Sequence, residues 1–105
     1  MNYYEMRIYT LKPGTVKEYK KCFNEIGYPI ISKYLNLVGF WYTEVGNLNQ
    51  MVSIWAYESL DKRTELRQAL YQDPEWNTEF MPRVTPLFLS MENRIMLGLD
   101  CSPLK

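Results

Sequence analysis

Residues Leu37–Tyr57 read LVGFWYTEVGNLNQMVSIWAY, and this stretch decides the fold. Two runs rich in β-branched and aromatic residues, Leu37–Val45 and Gln50–Tyr57, flank Gly46-Asn47-Leu48-Asn49. Gly and Asn tolerate the positive φ that a chain reversal needs, so the stretch predicts a β-hairpin. Trp41 and Trp55 sit on its opposite arms. Neither arm alternates cleanly: Val52, Ile54 and Ala56 interleave with Ser53, Trp55 and Tyr57. A strand apolar on both sides is covered on both faces. The chain's own helices can cover one face; the other calls for a second copy of the protein or another sheet.

Working outward, 105 residues make one domain with room for a hydrophobic core. The aromatic share of 15% is high for that size and fits a buried partner face or a cavity. Twelve basic and twelve acidic residues cancel, removing the electrostatic footprint of a nucleic-acid binder. No apolar run approaches a membrane span, and MNYYEMRIYT has no signal-peptide character, so the expected setting is cytoplasmic, with no membrane partner. Cys22 and Cys101 read as two unrelated thiols in a reducing compartment. Zero histidines exclude a His-based triad and a His-ligated haem; no metal site and no cofactor are expected.

Upstream of the hairpin, Tyr3–Leu11 alternates as a strand. Lys12-Pro13-Gly14 turns the chain, and Thr15 to Glu18 has the S/T-x-x-E spacing of a capping box. Apolar positions from Tyr19 to Tyr34 then recur at helical spacing, predicting a helix over Val16–Leu35. Pro29 predicts a kink or a division into two segments. Downstream, Ser59 is an N-cap for a helix over Leu60–Tyr71. Asp73-Pro74 starts a short helix over Pro74–Met81 carrying Trp76 and Phe80, ended by Pro82. Leu87–Leu97 alternates as a last strand. The domain is thus expected over residues 1–98, with a mobile tail over 99–105.

The order strand, helix, strand, strand, helix, strand predicts an α+β, ferredoxin-like βαββαβ fold. Right-handed crossovers interleave its halves into a four-stranded antiparallel sheet of order 4-1-3-2 with helices on one face. The first and last strands are then antiparallel neighbours. A constant residue sum of 99 sets Glu5 opposite Arg94 and Arg7 opposite Glu92, two opposite-sign pairs. That register puts the charges on the open face, at a homodimer interface, and Tyr4, Met6 and Ile8 under the helices.

Tyr4-Glu5-Met6-Arg7-Ile8-Tyr9-Thr10-Leu11-Lys12-Pro13-Gly14, Val38-Gly39-Phe40-Trp41, Gly46-Asn47-Leu48-Asn49-Gln50-Met51-Val52, Ile54-Trp55-Ala56-Tyr57-Glu58-Ser59, Asp73-Pro74-Glu75-Trp76 and Ser90-Met91-Glu92 together resemble the NIPSNAP family of the dimeric α/β-barrel superfamily. The resemblance covers nearly the whole chain. It implies a ferredoxin-like sheet whose open face packs on a second subunit, with a cavity between sheet and helices, and it brings little chemistry. Ser53 stands where members often carry His, and Ala56 where a basic residue is common.

Two functions from different classes fit. One is a cofactor-independent oxygenase or isomerase acting on a small apolar or aromatic metabolite, of the type related dimeric barrels resemble. Arg7, Tyr9, Glu44, Ser53 and Arg94 would supply its polar groups, and Trp41 and Trp55 its walls. No catalytic residue is assigned among them, since each also reads as an ordinary core or strand residue. The other is a non-catalytic metabolite-binding or protein-interaction module. A closed, polar-ended cavity of roughly 300 Å³ or more touching Tyr9, Trp41 or Trp55 favours an enzyme or metabolite binder; an interface filled solidly by side chains favours an interaction module.

Overall fold

The computed structural model describes residues 2–105; Met1, the first residue of the expected domain, lies outside them. The strands are β1 (Tyr3–Leu11), β2 (Asn36–Tyr42), β3 (Gln50–Tyr57) and β4 (Phe88–Leu97). They form one antiparallel sheet in the order β2-β3-β1-β4, the expected 4-1-3-2 arrangement. The hairpin connection is longer than predicted. β2 stops at Tyr42, and residues 43–49 reverse the chain with Gly46 at φ 111° and Asn49 at φ 64°. The Leu11 amide donates to Asn49 O at 2.7 Å and pins the turn to the end of β1.

Helix α1 (Val16–Cys22) continues through a π-helical segment, Phe23–Gly27, into α2 (Tyr28–Ile31). The expected interruption at Pro29 therefore takes the form of a widened turn. Proline lacks an N–H and its ring clashes with the carbonyl four residues back; widening the preceding turn relieves that clash. The device recurs in the second half of the chain. After α3 (Leu60–Tyr71), a π-helical segment Trp76–Phe80 precedes α4 (Met81–Val84), whose second residue is Pro82. Pro82 does not end the helix, contrary to expectation, and a 3-10 turn (Thr85–Leu87) carries helical winding to β4. Among the described residues no helix is long and apolar enough to cross a membrane.

The caps divide. Ser59 Oγ accepts from the Lys62 amide at 3.0 Å, and Asp73 Oδ1 accepts from the Glu75 and Trp76 amides at 2.9 and 3.2 Å, as their sequence positions predict. The capping box at Thr15 does not form: its hydroxyl donates backward to Lys12 O at 2.7 Å, closing the preceding turn.

The predicted β1–β4 register is off by one residue. Leu11 opposite Phe88 keeps the sum of 99, but a bulge at Leu89 moves every later pair to 100, so Glu5 faces Ile95, Arg7 faces Asn93 and Met6 faces Arg94. A one-residue slip exchanges the two faces of a strand. On β1, Glu5, Arg7, Tyr9 and Leu11 point toward the helices, with Glu5 and Leu11 0% exposed. The predicted charge ladder is absent from the open face. That face carries Tyr4, Met6 and Ile8 beside Val52, Ile54 and Ala56, with Glu92 and Arg94 along its β4 margin. A cross-strand ion pair is worth about 0.2–1 kcal/mol, too little to outweigh a buried carboxylate that gains several donors from α3. Residues 98–105 fold back on themselves beside Tyr4, Ile54 and Met96, through Ser102 N to Leu99 O at 2.9 Å.

Candidate functional site

The core between sheet and helices is aromatic. Phe23 stacks edge-on against Phe40 at 4.7 Å between ring centroids, and Trp76 lies 4.6 Å from Phe80. Such rings close irregularly, and a cavity of about 320 Å³ remains between β1, β3 and the two π-helical segments. Its apolar walls include Tyr19, Phe40, Trp55, Trp76 and Phe80, and its polar end gathers Arg7, Tyr9, Ser53, Arg67 and Tyr71. Tyr71, Asn77 and Met91 are exposed and mark the mouth.

Each polar group is positioned by a specific bond. Glu5 anchors them. Its carboxylate accepts from Arg63 Nε and Nη2 at 3.1 and 2.7 Å, from Arg7 Nη1 at 3.0 Å, from Asn93 Nδ2 at 2.6 Å and from the Tyr57 hydroxyl at 3.2 Å. Burial pushes the Glu5 carboxyl up, but the Arg63 and Asn93 hydrogen bonds and the charges of Arg7 and Arg67 more than reverse it, to about 2. Glu5 is thereby an orienting anion and not a proton acceptor at neutral pH. Arg7 Nε donates to the Tyr9 hydroxyl at 2.7 Å. Arg67 Nε donates to the Tyr71 hydroxyl at 2.9 Å and its Nη1 to the Tyr57 hydroxyl at 3.0 Å. Trp55 Nε1 donates to Ser53 Oγ at 2.9 Å, satisfying the buried indole and fixing its plane against the cavity.

Of the residues singled out in the sequence, Arg7, Tyr9, Ser53 and Trp55 come together here. Trp41, Glu44 and Arg94 do not. Trp41 is 54% exposed and lies over Gly39 on the open side of the edge strand. Glu44 is exposed in the hairpin connection, and Arg94 is exposed on the opposite side of the sheet from the cavity. Sequence reasoning missed Arg67, Tyr71 and the anchoring role of Glu5. A signal existed: Arg63, Arg67 and Leu70 share the inner stripe of α3, and arginine on an inner stripe requires a buried acid opposite. Another depression, of about 300 Å³ beside Lys20, Tyr28, Trp41 and Tyr42, is apolar with no convergent polar set. Among the described residues no group of three or more His, Cys, Asp or Glu could hold a metal ion.

The family model described as NIPSNAP matches residues 4–103. Protein NipSnap homolog 2 of Danio rerio is 37% identical over 99% of the chain, and Protein NipSnap of Drosophila melanogaster is 35% identical over 97%. These alignments cover 36% and 37% of the relatives, so the chain spans about a third of their length. A solved NIPSNAP family protein from Agrobacterium tumefaciens superposes with a TM-score of 0.95 at 42% identity, covering 99% of this chain and 91% of that one. A Nitrosomonas europaea protein named as a candidate antibiotic biosynthesis monooxygenase superposes with a TM-score of 0.70 at 11% identity, covering 99% and 94%, which shows a shared fold alone. With the family's pattern matched nearly end to end in both sequence and structure, the chain belongs to the NIPSNAP family.

Proposed function

We propose that the chain is a homodimeric domain that holds a small aromatic or apolar metabolite between its sheet and its helices. The cavity of about 320 Å³ beside Tyr9 and Trp55 carries this reading: it has the size and the mixed lining of a ligand pocket, where a docking module would be filled. Arg7, Tyr9, Ser53 and Trp55 are its ligand-binding residues. The open face, apolar along β1 and β3, supports pairing with a second copy. Two free cysteines, one buried and one exposed, suit the cytoplasm. A second reading is favoured by the donors around Arg7 and Tyr9, which would steady an oxyanion forming on a bound substrate. In that reading the site runs a cofactor-independent oxygenation or isomerisation, as the name of the Nitrosomonas europaea relative in fold suggests. Glu5, held at about 2, is then a poor acceptor for the substrate's proton.

Native mass spectrometry of freshly expressed protein tests the reading. A dimer mass with an additional small-molecule mass, lost in Met91→Trp, where the exposed mouth residue becomes a plug, is the expected result. A monomer at micromolar concentration that binds no aromatic probe refutes it.

A further inference from the structure

The polar end of the cavity is rich in donors and poor in acceptors. Three guanidiniums, Arg7, Arg63 and Arg67, meet one carboxylate, Glu5, leaving two positive charges in excess. Arg7 and Arg67 line the cavity; their side chains are only 16% and 8% exposed. Each spends part of its fork on protein. Arg7 uses Nε and Nη1, Arg67 uses Nε and Nη1, and among the described residues the Nη2 of each has no acceptor. The tyrosines extend the pattern. Tyr9 and Tyr71 each accept an arginine N–H, so their own O–H protons remain to be donated. Ser53 Oγ accepts from Trp55 and is in the same position. Among the described residues no buried side-chain nitrogen or oxygen lacks a partner, so the free Nη2 edges are accessible atoms of residues that line the cavity.

We infer that the ligand is an anion: an aromatic or apolar body carrying a carboxylate or phenolate-type oxygen that lies against Arg7 and Arg67, with Tyr9 and Tyr71 donating to it. This rests on the cavity being a ligand site. The guanidinium fork matches a carboxylate in two parallel hydrogen bonds, which adds direction as well as strength. Glu5 is a positioning residue, holding the two arginines by their inner edges so that their outer edges face the ligand.

The test uses a matched pair of probes, 2-naphthoate and its neutral amide 2-naphthamide, titrated calorimetrically against the full chain. The expected result is at least about tenfold tighter binding of naphthoate, the size of one charge-assisted hydrogen bond. That ratio falls toward one in Arg7→Gln and in Arg67→Gln, because naphthoate loses more affinity than naphthamide. Should Arg67→Gln fail to fold by circular dichroism, Arg7→Gln, at a more accessible position, decides alone. Met91→Trp weakens both probes. Equal affinity for the two probes overturns the charge assignment and leaves the cavity standing. Naphthoate binding untouched by Met91→Trp also overturns it, because the anion then sits elsewhere. Binding of neither probe removes the ligand site itself, and the assignment with it.

Discussion

Replacing Glu5 with glutamine removes one charge and almost no volume, and the structure fixes what that should cost. The carboxyl moves from an ordinary 4.5 to about 2 on folding. At about 1.36 kcal/mol per pK unit, the shift contributes about 3 kcal/mol of stability at neutral pH. Breaking a buried ion pair from one side costs about 3–5 kcal/mol by general experience, because the remaining charges lose their partner. The two figures agree and are a large part of the 5–15 kcal/mol that a domain of this kind possesses. Since the folded pKa is depressed, the contribution is complete above about pH 4.5 and disappears as pH falls toward 2. Urea denaturation by circular dichroism at one protein concentration, repeated from neutral pH downward, should show wild type losing about 3 kcal/mol more than Glu5→Gln across that window. At neutral pH the variant should be less stable by the same amount. A variant within about 1 kcal/mol of wild type at neutral pH, or one with an equally steep acid limb, refutes the account of Glu5 as the anchor.

Three further outcomes are expected. Ser59→Ala should cost about 1 kcal/mol in the same assay, the usual worth of an N-cap, while Thr15→Ala costs clearly less because its hydroxyl caps nothing. Gly27→Ala, a change that favours an ordinary helix, should destabilise by about 1–3 kcal/mol, since the new methyl meets the buried Phe80 ring at 2.6 Å; a raised melting temperature contradicts this. Ile54→Lys, on the open face, should weaken self-association at least about a hundredfold in sedimentation equilibrium and leave naphthoate binding intact, because in the proposed dimer the ammonium would meet an apolar face unpaired. An unchanged dimer places the interface elsewhere.

Periodicity and turn chemistry made the sheet order, the extents of β1 and α3 and two of the three helix caps legible in the sequence. What escaped depends on contacts between distant residues. The bulge at Leu89 has no mark in the local alternation, yet beyond it Glu5 and Arg7 lie opposite Ile95 and Asn93 and not Arg94 and Glu92. Charge matching across two strands chose the wrong register, because a ladder of surface pairs is a weaker force than one carboxylate drawn beneath α3. The same error concealed the site: with Glu5 placed outside, nothing pointed to Arg63 and Arg67 as its partners. Aromatic content fitted a buried partner face or a cavity, and it could not separate Trp55, which walls the cavity, from Trp41, which lies on the open side. The paired π-helical segments were visible only as prolines, and their effect, a broad arch that leaves room above Trp55, belongs to the folded chain.

The interior holds no clock for acidity. With no histidine in the chain, Glu5 and Asp73 discharge only near pH 2. Tyr19, Tyr57 and Cys22 are all pushed upward by burial. Across the range a living cell visits, none of these five groups changes its charge. For the anionic ligand proposed above, sensitivity of binding to acidity would lie in the guest, whose own dissociation decides whether it arrives charged.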